Sequence, residues 1–172
     1  MTKRIAHPAY AFLLAALLAV VTTVIAADKR DFSGSYTLKE KTDASKLQKG
    51  KASTLRVIQT ESAIEITRVV DGHQNVNKFP LDGSEGKYTS PGGPTGTCKA
   101  QFKSKYLILD TIVTTHPQPN GPPVQMHTRE RWELSPDSNT LKIRTDVDFP
   151  QLSRTLNGFQ VVEPWSEIYI RN

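Results

Sequence analysis

The chain has 172 residues, a formal net charge of +5 and an apolar fraction of 37%. Twenty of the first 27 residues are apolar, which leaves 44 apolar residues among the remaining 145. That body can build one modest core; it excludes a polytopic membrane protein, a long coiled coil and a two-domain enzyme with a large buried interior.

Lys3 and Arg4 precede a charge-free apolar run, 9–21, that contains Leu13, Leu14, Leu17 and Leu18. Val24-Ile25-Ala26-Ala27 then offers small residues just before Asp28-Lys29-Arg30, the pattern of a secretory signal with its cleavage site. Residues 1–27 are therefore expected to be a cleaved signal peptide, and residues 28–172 a single exported domain, periplasmic or secreted. Residues 9–27 could just span a bilayer as an uncleaved anchor, but the Ala-rich run and the usable site favour cleavage, which leaves no integral membrane span. No cysteine lies near the site, which argues against a lipoprotein anchor.

Without that segment 20 basic residues face 17 acidic ones. Such near balance argues against nucleic-acid binding, which needs a dense basic face. Cys98 is the single cysteine, so the fold has no intrachain disulfide; its expected role is that of a buried small apolar side chain.

The remainder reads as strands. Short alternating runs bounded by Gly, Pro, Asn or Asp predict strands over 33–41, 53–59, 63–70, 74–81, 87–89, 97–103, 106–115, 124–134, 141–149 and 167–171. Asp71-Gly72, Asp82-Gly83, Gly92-Gly93, Asn120-Gly121 and Pro136-Asp137-Ser138-Asn139 separate them as turns. Closely spaced turns favour consecutive antiparallel neighbours, hence an all-β, antiparallel up-and-down meander barrel of about 8–10 strands, closed or nearly so. A short helix over 43–49, capped by Asp43 and stopped by Gly50, stands as an alternative to a plain loop after the first strand.

Alternation also assigns faces. Val124, Met126, Thr128, Glu130, Trp132 and Leu134 share one side of their strand, with Gln125, His127, Arg129, Arg131 and Glu133 on the other. Leu141, Ile143, Thr145, Val147 and Phe149 repeat the pattern, as do Phe32, Gly34, Tyr36 and Leu38. A curved sheet with one apolar face needs little apolar mass, and a barrel of this size either fills with side chains or keeps room for a small ligand.

Three segments resemble a known family. Phe32-Ser33-Gly34-Ser35-Tyr36-Thr37-Leu38 resembles the opening strand of lipocalin-like, calycin-type proteins, where a Gly-x-Trp element starts the first strand. The segment 131–141 is similar to the Trp-x-Leu-Ser-x-Asp-Gly-x-Thr-Leu hairpin of small exported bacterial barrels of that type, and Leu81-Asp82-Gly83 to another of their turns. Tyr36 replaces the Trp, and Ser138-Asn139 replaces the turn Gly, where Asn139 is expected to accept a left-handed backbone. The resemblance implies that Arg171 packs over Tyr36 and that the barrel interior holds a hydrophobic or amphipathic molecule, without catalysis.

The candidate lining residues are Tyr36, Leu38, Met126, Trp132, Ile143 and Phe149, with Glu130 as a polar anchor. Glu130 either points inward, where burial needs a cation or hydroxyl beside it, or stays wet at a bulge or the barrel rim. His73, His116 and His127 show no metal-ligand spacing, no nucleophile motif or phosphate loop occurs, and no metal or cofactor is expected. An enzyme would need Glu130 or Asp110 to meet a histidine inside the barrel. The alternative to ligand binding is an envelope interaction module with a filled barrel. It would act through the basic first loop (Lys39, Lys41, Lys46, Lys49, Lys51, Arg56) or the Pro-rich tip over 117–123.

Overall fold

Alternation translates into ten strands: β1 Gly34–Thr42, β2 Thr54–Gln59, β3 Ala63–Val70, β4 His73–Pro80, β5 Gly86–Thr89, β6 Thr95–Lys103, β7 Tyr106–Thr115, β8 Val124–Leu134, β9 Thr140–Asp148 and β10 Trp165–Arg171. The structure is a computed structural model. It describes residues 30–42, 54–70, 72–91, 93–116, 121–150 and 163–172. Residues 1–29, with the expected signal, lie outside the described residues, as do 43–53, with the candidate helix and most of the basic loop, and 117–120 of the Pro-rich tip.

The strands form one sheet in the order β4-β3-β2-β1-β10-β9-β8-β7-β6-β5, with antiparallel neighbours throughout. Pairing of β1 with β10, Tyr36 opposite Arg171, joins the two ends of the chain and curls the meander into a barrel. The backbone ladder ends at β4 and β5, and side chains close this seam. Asn77 Nδ2 donates to the Thr89 carbonyl at 3.0 Å while Thr89 N–H donates to Asn77 Oδ1 at 2.8 Å, so one amide side chain copies the two-point pairing of a strand. Asn75 Nδ2 adds a bond to the same carbonyl at 2.9 Å, and the Phe79 and Tyr88 rings meet across the seam at 6.2 Å. The edges, which would otherwise template pairing with other chains, are thereby covered.

The lower end of the barrel is packed solid. Phe32, Tyr36, Trp132, Leu141, Ile143 and Tyr169 have at most 1% exposure, each worth roughly 1.5–3 kcal/mol by apolar burial. Tyr36 Oη donates to the Phe32 carbonyl (2.9 Å) and accepts from Arg171 Nη2 (2.8 Å), whose guanidinium carbon lies 5.3 Å from the Tyr36 ring centre. The expected contact of Arg171 with Tyr36 is thus present and ties the last strand to the first. Gly34 makes room for it: at φ 153° a Cβ there would lie 3.1 Å from Arg171 Nε. At Gly96 a Cβ would lie 1.9 Å from the Ile112 carbonyl oxygen, so only glycine lets β6 run this close to β7.

Strand boundaries differ from expectation by one or two residues, with β6 beginning at Thr95 and β10 at Trp165. In the β8–β9 turn it is Ser138, not Asn139, that takes the left-handed conformation (φ 58°). Asn139 instead donates its backbone N–H and its side-chain amide to the Asp137 carboxylate, which also receives the Ser135 hydroxyl. These bonds hold the Asp137 carboxyl below its ordinary range, the Ser135 bond foremost. Among the described residues no helix is long and apolar enough to cross a membrane.

Candidate functional site

Each inward face changes character along its strand. On β3 the inner face runs Ile64, Ile66, Arg68, Val70, so an arginine follows two buried isoleucines. On β8 it runs upward from Leu134 and Trp132 to Glu130, Thr128 and Met126. The register of β8 is unbroken from end to end, so Glu130 faces the interior rather than sitting at a bulge. β7 brings Thr111 between Leu109 and Val113, and β4 brings Asn77 above Phe79.

These faces stack the interior in three layers. Below lies the packed aromatic and aliphatic floor. In the middle, Arg68, Asn77, Tyr88, Thr111 and Glu130 surround a cavity of about 20 Å³, closed from beneath by Ile66, Phe79 and Leu109. That volume suits one water. Above it, Val70 and Val113 stand two residues beyond Arg68 and Thr111, Val147 and Trp165 two beyond Thr145 and Glu167, and Met126 four beyond Glu130 with Thr128 between, forming a largely apolar collar toward the upper end. The strand ends Thr42, Thr54, Thr115, Val124, Asp148 and Trp165 lie at that same end.

The middle layer is organised by charge. Arg68 Nη2 donates to Glu130 Oε2 at 2.5 Å, and Trp132 Nε1 donates to the same oxygen at 2.8 Å. The guanidinium also lies over the Trp132 ring, 5.8 Å from its centre, and Phe32 meets that ring edge-on at 6.3 Å. The floor therefore holds Trp132, Trp132 aims Glu130, and Glu130 anchors Arg68. Burial opposes the charge on Arg68, but the Glu130 carboxylate, with smaller help from Tyr169, Glu167 and Tyr88, holds it above an ordinary arginine. Tyr88 is pushed up by burial first and by Glu130 second, and so remains a neutral phenol.

Among the expected lining residues, Glu130 lines the cavity and Trp132 supports it through its indole N–H. Tyr36 and Ile143 belong to the sealed floor, and Leu38 packs against that floor half-buried. Met126 stands in the collar, and Phe149 lies half-buried just beyond the last residue of β9. Asp110 is on the outer face of β7, where Arg129 grips both its oxygens at 2.6 and 3.2 Å. His73 and His116 are exposed and His127 is on the outer face of β8, so no described histidine meets Glu130. Arg68, Asn77, Tyr88 and Thr111 are additions that the sequence analysis did not single out. The signal for Arg68 is its place on an otherwise Ile and Val face.

Cys98 is buried at the seam, its thiol 3.6 Å from the Lys78 and Lys87 carbonyls. Burial pushes the thiol up to about 11. It sits, as expected, as a buried and packed small side chain.

No protein-family model and no curated protein matches the chain. Its fold is similar to that of the REP1-NXSQ fatty acid transporter, at 12% identity and a TM-score of 0.58, covering 83% of this chain and 96% of that one. It is also similar to Echinococcus granulosus fatty-acid-binding protein 1 (12% identity, TM-score 0.57, 81% and 96% covered). Zebrafish ileal bile acid-binding protein, complexed with cholic acid, is likewise similar (12% identity, TM-score 0.55, 82% and 98% covered). What the chain shares with them is the fold, here a ten-strand antiparallel barrel.

Proposed function

We propose that the chain is a non-catalytic carrier barrel for a small amphipathic molecule. The polar head rests on the Arg68–Glu130 layer and the apolar part lies within the collar of Val70, Val113, Met126, Val147 and Trp165. The observation that carries this reading is the layering: a charged pair set inside a barrel, with apolar side chains both beneath and above it. The floor is filled, so the guest sits above the pair rather than threading the whole barrel. The names of the structural neighbours, which bind fatty acids and a bile acid, support the same class of ligand.

Export to the periplasm or beyond is part of the proposal, supported by Lys3, Arg4 and the apolar run that follows. Native mass spectrometry of protein purified from its producing cells tests the binding reading. The expected spectrum carries an adduct of lipid mass that organic extraction removes. A bare polypeptide mass, unchanged after incubation with mixed amphiphiles, would contradict it. The second reading, a filled barrel that works through its surface, draws on the water-sized cavity and requires that bare mass.

A further inference from the structure

The internal arginine is already matched. Glu130 Oε2 accepts from both Arg68 Nη2 and Trp132 Nε1, and the side chains of the pair are only 23% and 17% exposed. Arg68 therefore has its carboxylate partner before any guest arrives, and Glu167, buried on β10, adds a second acidic side chain near it. A ligand carboxylate placed there would stand beside the Glu130 carboxylate, and two like charges in a partly desolvated site disfavour each other strongly. An uncharged head adds no charge. It can bond the guanidinium N–H groups that Glu130 does not use, since arginine carries five, and Tyr88 and Thr111 bring hydroxyl groups to the same cavity.

Building on the amphiphile-carrier reading above, we propose that this layer selects amphiphiles with an uncharged hydrogen-bonding head, such as a long-chain alcohol, amide or glycerol monoester, over free carboxylates. Glu130 is then the specificity-determining residue: it holds the arginine that a carboxylate would seek. The Trp132 indole keeps Glu130 in that position.

The test is a matched pair, dodecanol and dodecanoate, each displacing the neutral probe N-phenyl-1-naphthylamine from the full chain at about pH 8, well above the ordinary pKa of a fatty carboxylate. Dodecanol is expected to compete about tenfold or more better than dodecanoate. In Glu130→Gln, which keeps the shape and an acceptor for Trp132 but removes the charge, the preference is expected to reverse. Dodecanoate competing as well as dodecanol in the unmodified chain overturns the selectivity and leaves the carrier reading intact. So does an unchanged ratio in a folded Glu130→Gln. Displacement by neither ligand removes the carrier reading and the selectivity with it. Should Glu130→Gln fail to fold, the ratio in the unmodified chain decides alone.

Discussion

Arg68 on β3 and Glu130 on β8 belong to strands that are not neighbours in the sheet, yet their side chains meet across the barrel interior at 2.5 Å. The pair is a cross-barrel tie as well as a polar layer. Removing one partner strands the other. Arg68→Met is expected to cost about 2–3 kcal/mol at neutral pH, because Glu130 is left inside with the Trp132 indole as its remaining donor. Urea titrations of the variant and the unmodified chain check this; a variant as stable as the unmodified chain would contradict the explanation.

The seam gives a second expectation. Asn77 supplies donor and acceptor to Thr89 in place of a strand backbone. Asn77→Leu removes both bonds and leaves the Thr89 N–H without its partner, while Asn75 still bonds the carbonyl, a loss of about 1–3 kcal/mol. Hydrogen exchange at the Thr89 amide should accelerate well beyond exchange in β8 and β9. Uniform acceleration across the barrel would mean that the seam does not open by itself.

Cys98 gives the third. Its thiol is raised from 9.0 to about 11 in the fold, so below pH 9 both folded and unfolded chains keep the proton and the thiol's contribution to stability is complete. As the pH rises through that window the unfolded chain releases the proton more readily, and the contribution is lost. Ellman's reagent should leave Cys98 untouched in the native chain at about pH 8 and modify it on unfolding, because both thiolate and access are lacking in the fold. Rapid modification of native protein would contradict the burial.

Much of the barrel is legible in residue order alone. Strand period two, with turn residues between, specifies the strands and their faces, and it puts Glu130 on the face of Trp132 while leaving open whether a bulge keeps it wet. What residue order does not contain is which strands face one another across the closed interior. Arg68 and Glu130 are separated by 62 positions, and only the curvature of the whole sheet brings β3 to face β8. The same applies to Asn77 and Tyr88, which become a seam only because β4 and β5 are the two free edges. Tyr36 and Ile143 were expected to line a guest site because they face inward. They do face inward, but Phe32 and Trp132 fill the space between the strands at that level, making it a floor. The left-handed residue of the β8–β9 turn is Ser138 because Asp137 recruits Asn139 through its N–H and side chain, leaving the preceding residue to make the turn.

The central claim, that an amphiphile lies above the Arg68–Glu130 layer inside the collar, is tested most directly by photolabelling. A long-chain alcohol carrying a diazirine at its far end, irradiated with the full chain and mapped by peptide mass spectrometry, should mark Val70, Val113, Met126, Val147 or Trp165. Labels confined to the exposed outer-face residues Ile58, Val76 and Ile112, or no label at all, would contradict it.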